Sequence, residues 1–113
     1  MQLPFSDARR IGDTLYVSGQ LGISQDLIPP EELEDEAHLL MQNLKRVLEK
    51  HGTALDRVAM ISVFASDVAT FEAFNAVYVT YFNGILPARA FIGSGPLLFG
   101  ARFELTAIAQ IER

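Results

Sequence analysis

Apolar and polar positions change rhythm along this chain, and each change marks an element. Two short runs, Ala8–Ile11 and Thr14–Ser18, flank Gly12-Asp13. A two-residue turn between strand-like runs predicts a β-hairpin. Gly19-Gln20 ends the second strand, and residues 19–30 read as a loop closed by Pro29-Pro30. From about Glu31 to His51 the period lengthens. Leu33, Ala37, Leu40, Met41, Leu44, Val47 and Leu48 form one buried helical stripe. Glu31, Glu32, Glu34, Asp35 and Glu36 crowd its start, where the helix dipole favours negative charge, and they read as a solvated face. Gly52 supplies a left-handed cap. Val58–Ala65 is apolar except for Ser62, which predicts a strand covered on both faces. Thr70 is expected to cap a second helix from Phe71 to about Phe82. Its aromatic stripe, Phe71, Phe74, Tyr78, Tyr81 and Phe82 with Val77, reads as core, and Asn83-Gly84 stops it. Strands over Ala88–Ile92 and Phe103–Ile111 complete the order ββαβαββ. That order predicts an α+β sandwich, a mixed sheet with two helices on one face.

Composition narrows the class of protein. The 113 residues are expected to form one domain (residues 1–113) that buries roughly two-thirds of its unfolded surface. Half the residues are hydrophobic and a fifth are charged, as in a globular protein. There is no cysteine, so thiol nucleophiles, disulfides and thiolate metal sites are excluded, and a reducing, cytoplasmic location is expected. His38 and His51 lack any metal-binding spacing, so no metal is expected. No apolar run approaches the ~18–20 residues of a spanning helix, and Met1–Asp7 lacks the basic flank and apolar core of a signal peptide. A net charge of −5 argues against a nucleic-acid partner.

The last two strands hold the chemistry. Arg89 lies in the apolar run Pro87–Gly93, and Glu104 lies in Arg102–Ala109. A charge in an apolar strand is costly unless an opposite charge meets it. Arginine holds a carboxylate through two parallel hydrogen bonds. Strand five alternates Phe103, Leu105, Ala107, Ala109 and Ile111, plainly core, with a semi-polar set that includes Arg102, Glu104, Thr106 and Ile108. Strand four alternates Arg89 and Phe91 with Ala88, Ala90 and Ile92. Placing Arg89, Phe91, Glu104, Thr106 and Ile108 on one face gives a surface too apolar for water and too polar for a core. Such a face predicts an oligomer interface with a site for small acids in it. The same Arg89 and Glu104 could instead be a cross-strand ion pair.

The segment Ile11-Gly12-Asp13-Thr14-Leu15-Tyr16-Val17-Ser18-Gly19-Gln20 resembles the SGQ hairpin of the RidA/YjgF family of enamine/imine deaminases. Asn43-Leu44-Lys45, Val63-Phe64-Ala65-Ser66-Asp67, Phe74-Asn75-Ala76-Val77-Tyr78, Pro87-Ala88-Arg89 and Phe103–Ala109 follow in that family's order and spacing. The resemblance implies a homotrimer with a chorismate-mutase-like fold and sites in clefts between subunits. It implies a 2-iminobutanoate/2-iminopropanoate deaminase-like hydrolase. Such an enzyme turns 2-aminoacrylate and related 2-imino acids into 2-keto acids and ammonia, with no cofactor. By position, Arg89 matches the arginine that grips the substrate carboxylate, and Glu104 matches the glutamate that helps to position water. Ser18 and Asn75 match residues near the pocket. Phe5 stands where many members have tyrosine, Phe91 where the best-known members have cysteine, and Gly93–Leu98 where the usual sequence is V-A-R-L-P. These departures imply a more aromatic pocket without a hydroxyl, open to a substrate bulkier than 2-iminopropanoate.

The imine chemistry is simple. An imine carbon is already electrophilic, so fixing the carboxylate and orienting a water suffices, and a positioned base adds roughly 10²–10⁴-fold. Three alternatives stay open at this point. A non-catalytic carboxylate-binding trimer would need Arg89 but not Glu104. Another enzyme of the same fold, such as a 2-aminomuconate-type deaminase or a chorismate mutase, is a narrower alternative, and the latter would need a second cation, from Arg102, Arg9 or Arg10. An RNA-cleaving role fits poorly with the acidic balance.

Overall fold

A computed structural model describes residues 3–111 of the chain; Met1 and Gln2, part of the segment read as no signal peptide, lie outside the described residues. The elements are β1 (Ala8–Ile11), β2 (Thr14–Leu21), α1 (Leu33–Lys50), β3 (Val58–Ala65), α2 (Phe71–Tyr78), β4 (Ala88–Gly93) and β5 (Phe103–Gln110), with short 3₁₀ turns between them. They form one five-stranded sheet in the order β1-β2-β5-β3-β4. All neighbours are antiparallel except β3 and β4, which run parallel with α2 as the crossover. The expected ββαβαββ mixed sheet is the observed one.

Turn chemistry explains the boundaries. Gly12 adopts φ +62, as the tight β1–β2 turn requires, and Gly52 adopts φ +83 beyond α1. β2 runs three residues beyond the expected Ser18, because a bulge lets it keep its pairing. Val17 pairs with Ala107 and Gln20 with Leu105, so Ser18 and Gly19 together stand opposite Thr106. α1 starts at Leu33, not Glu31. α2 ends at Tyr78 and tightens into a 3₁₀ turn, Val79–Tyr81. There the Thr80 hydroxyl donates to the Val77 carbonyl at 2.6 Å, and such back-bonding competes with the helical ladder. Thr70 does not cap α2. Its hydroxyl donates to the Asp67 carbonyl, and Asp67 caps the preceding 3₁₀ turn by accepting the Ala69 N–H at 3.0 Å.

Both helices cover one sheet face. Leu40, Met41, Leu44, Leu48 and Phe74 pack on Leu15, Ile61, Val63, Phe103 and Leu105, all fully buried. The opposite face is uncovered in this chain, and Tyr16, Ile92 and Ile108 lie exposed on it. β3 therefore has only one covered face. Its Met60, Ser62 and Phe64 are half-buried on the other.

Glu36 corrects the reading of the acidic helix start. It is completely buried rather than solvated. Its carboxylate accepts the Arg102 guanidinium at 2.7 Å, the Arg102 N–H at 2.7 Å and the Phe103 N–H at 3.2 Å. Arg102 also donates to the carbonyls of Pro30 and Glu31. The cluster thus clamps the start of α1 to the start of β5. Glu36→Ala would strand this arginine and two backbone donors. A stability loss of about 3–5 kcal/mol is expected, the usual cost of breaking a buried pair. Urea unfolding followed by circular dichroism measures it, and a midpoint equal to the wild type would refute the clamp.

Candidate active site

The strand registers decide where each candidate side chain goes. β3 Ile61 pairs with Arg89 and Val63 with Phe91. Ile61 and Val63 point under the helices, so Arg89 and Phe91 do too. Glu104 pairs with Phe64 and Leu21, on the uncovered face. The expectation that Arg89, Phe91 and Glu104 share a face is therefore wrong. β3 lies between β4 and β5, so they are not neighbours, and Arg89 and Glu104 form no cross-strand ion pair. The error was one of topology. Alternation gives two faces for each strand, but it cannot say which face of β4 matches which face of β5 until the strand between them is placed.

On the helix side, Arg89 is held by aromatic rings. Its guanidinium lies 4.7 Å from the Tyr78 ring centroid and 5.6 Å from those of Phe71 and Phe91. Phe71 and Phe91 meet edge-to-face at 5.1 Å, and Phe91 also touches Phe74 at 5.8 Å. Cation–π contact orients an arginine without using its N–H groups. Among the described residues Arg89 has no carboxylate partner. A planar cation set among aromatic rings, with no side-chain acceptor for its donors among the described residues, is prepared for an anion. Burial pushes the Tyr78 hydroxyl pKa up, and the Arg89 charge offsets part of that rise.

Arg89 opens into a pocket of about 290 Å³ lined also by Asn75, Tyr78, Val79, Leu86 and Pro87. The structure thus brings Asn75 and Arg89 together. The Asn75 Oδ1 is buried without a hydrogen-bond partner among the described residues. Phe91 is not part of this lining; it supports Arg89 from beside the core. Tyr78, Phe71 and Leu86 were missed as site residues. The first two belong to a stripe that helical spacing reads as core. The signal that separates them is the unpaired arginine one element away.

On the uncovered face, Glu104 lies across the bulge at Ser18-Gly19. A Cβ on Gly19 would overlap its Oε2. Ser18 donates from its hydroxyl to the Ser6 carbonyl at 2.5 Å and from its N–H to the Asp7 carbonyl at 2.9 Å. This ties the segment carrying the exposed Phe5 to the bulge. Ser18, Glu104 and the Phe5 segment therefore cluster on one face, while Arg89, Asn75 and Phe91 cluster on the other. Glu104 is half-buried, and its side chain has no hydrogen bond or ion pair among the described residues. Of the other cations weighed for a cleft, Arg102 is engaged by Glu36, and Arg10 by the Gly12 carbonyl and Asp13. No group of three or more His, Asp or Glu able to hold a metal occurs among the described residues. Among the described residues, no helix is long and apolar enough to cross a membrane.

The sequence profile of the family described as Endoribonuclease L-PSP matches residues 1–111. The chain belongs to this family, the RidA/YjgF family. It is 36% identical over 108 residues to a protein of Mus musculus named 2-iminobutanoate/2-iminopropanoate deaminase, covering 94% of this chain and 80% of that one. It is 35% identical over 106 residues to Protein HMF1 of Saccharomyces cerevisiae, covering 93% and 82%. Among solved structures, the yeast protein YEO7 superposes with a TM-score of 0.93 at 33% identity, over 99% of this chain and 90% of that one. RidA from an Antarctic Psychrobacter gives 0.89 at 30% identity, over 96% and 88%. Family relatives thus carry both deaminase and endoribonuclease names. The family's shared fold accounts for the five-stranded sheet with two helices.

Proposed function

We propose that this protein hydrolyses 2-imino acids to 2-keto acids and ammonia, in clefts between the subunits of a homotrimer. The observation that carries the reading is the pair of unpartnered charges on opposite sheet faces. One chain cannot bring Arg89 and Glu104 to the same substrate. Two copies can, when the Arg89 pocket of one meets the Glu104 face of the next. The exposed Tyr16, Ile92 and Ile108 on the uncovered face support such an interface.

Arg89 takes the substrate carboxylate through two N–H donors, with its rings holding the guanidinium plane. The Glu104 carboxylate of the facing subunit accepts a proton from water as the oxygen attacks the imine carbon. The proton passes to nitrogen. As the carbon–nitrogen bond of the resulting tetrahedral carbinolamine breaks, the Glu104 carboxylate takes the hydroxyl proton and returns it to the nitrogen, so that ammonia leaves and the keto group forms. Ser18 and Asn75 border the two halves of the cleft. The side chain of the substrate lies toward Val79, Leu86 and Pro87, which gives room for an apolar group.

A coupled assay tests the reading. Imines are generated in situ from a panel of amino acids with an amino-acid oxidase, and their decay is followed with and without the protein. Acceleration across alanine-, leucine- and methionine-derived imines is expected. Saturable binding without acceleration would leave only a carboxylate-binding role. Leu86→Ala should change the ratio of rates across the panel, at about 1–3 kcal/mol per methylene-sized change. Phe91→Cys should leave that ratio unchanged and lower all rates together, since Phe91 backs Arg89 and does not line the pocket.

A further inference from the structure

We infer that Gly19 is a positioning residue for Glu104, and that its missing side chain is what lets the carboxylate lie across the bulge. The inference rests on the proposed role of Glu104. The φ of Gly19 is outside the left-handed region, so the backbone itself does not demand glycine. Space demands it. A Cβ at this position would overlap the Glu104 Oε2 and sit 3.0 Å from its Cδ and 3.3 Å from its Cγ.

Which of the two would yield follows from the surroundings. The bulge is pinned on both sides of Gly19. Ser18 is bound to the carbonyls of Ser6 and Asp7, and the Gln20 side-chain amide donates to the Ser18 carbonyl at 3.1 Å. Glu104 is the free end of a flexible side chain, with no hydrogen bond of its own to resist displacement. A methyl group on residue 19 therefore moves the carboxylate and leaves the sheet in place. Gly22, a few residues on, differs. A Cβ there would meet the backbone carbonyl of Glu36, which cannot move away so cheaply.

The test is a cycle of variants in the intact protein. Gly19→Ala should lower kcat by about 10–100-fold, the scale of an ångström-sized misplacement. KM should hold within about twofold, because Arg89 still grips the carboxylate, and the melting transition should not shift. In a Glu104→Asp background, where the side chain is one methylene shorter, adding Gly19→Ala should cost no further kcat beyond about twofold. An equal loss of kcat in both backgrounds would overturn the inference, as would a fall in melting temperature in both. Full turnover by Gly19→Ala beside an inactive Glu104→Gln would overturn this inference alone. Full turnover by Glu104→Gln would overturn the proposed role of Glu104 and this inference with it.

Discussion

Arg89→Ala is expected to abolish measurable imine hydrolysis. Two hydrogen bonds to an ionised group contribute about 1.5–3 kcal/mol each, so losing both should lower kcat/KM by about 10²–10⁴-fold. The loss should appear in KM as well as kcat, because the carboxylate is held before and during the reaction. Arg89→Lys should recover little. An ammonium presents no planar fork, and its compact charge sits differently over the rings of Tyr78, Phe71 and Phe91. Folding should survive, since the Arg89 side chain makes no hydrogen bond or ion pair within the described chain. Near-normal turnover by Arg89→Ala would make the residue structural and remove the carboxylate site.

Two inactive variants should restore activity when mixed. Arg89 and Glu104 face opposite ways in one chain, so under the proposed reading each cleft would take one from each of two neighbouring subunits. A mixed trimer of Arg89→Ala and Glu104→Gln chains then contains clefts with both native residues. Random reassembly at equal amounts should recover about a quarter of the wild-type rate, set by the symmetry of a closed ring. The measurement is to unfold and refold the two variants together and apart, then assay both. Light scattering should give a particle of about three times 12.5 kDa throughout. A stable monomer, or no recovery from a mixed trimer, would place Arg89 and Glu104 in separate roles and end the shared-cleft reading.

Much of this protein is legible in its sequence because local rules settle it. Gly12 in a two-residue turn, Gly52 after a basic helix end, and the long stripe from Leu33 to Leu48 each answer to one element's own geometry. β3 needed no correction of its ends, and β4 and β5 needed only one residue each. The candidates Arg89, Glu104, Ser18 and Asn75 could be named from residue type and motif order. Their arrangement could not. The side of the sheet on which Arg89 points depends on β3 pairing in parallel with β4 and antiparallel with β5, and pairing is a long-range choice. A one-residue change in that register inverts a strand's faces. The bulge at Ser18-Gly19 is equally invisible locally, since it arises from how β2 meets β5. Glu36 shows the same limit from the opposite direction. An acidic run at a helix start reads as solvated, and only the approach of Arg102 and the β5 backbone makes one of its carboxylates worth burying. The sequence by itself determined which groups are available and which elements carry them. Tertiary structure decided which groups meet, because burial, cation–π support and the placing of Arg89 and Glu104 on opposite faces are properties of chain segments distant in sequence.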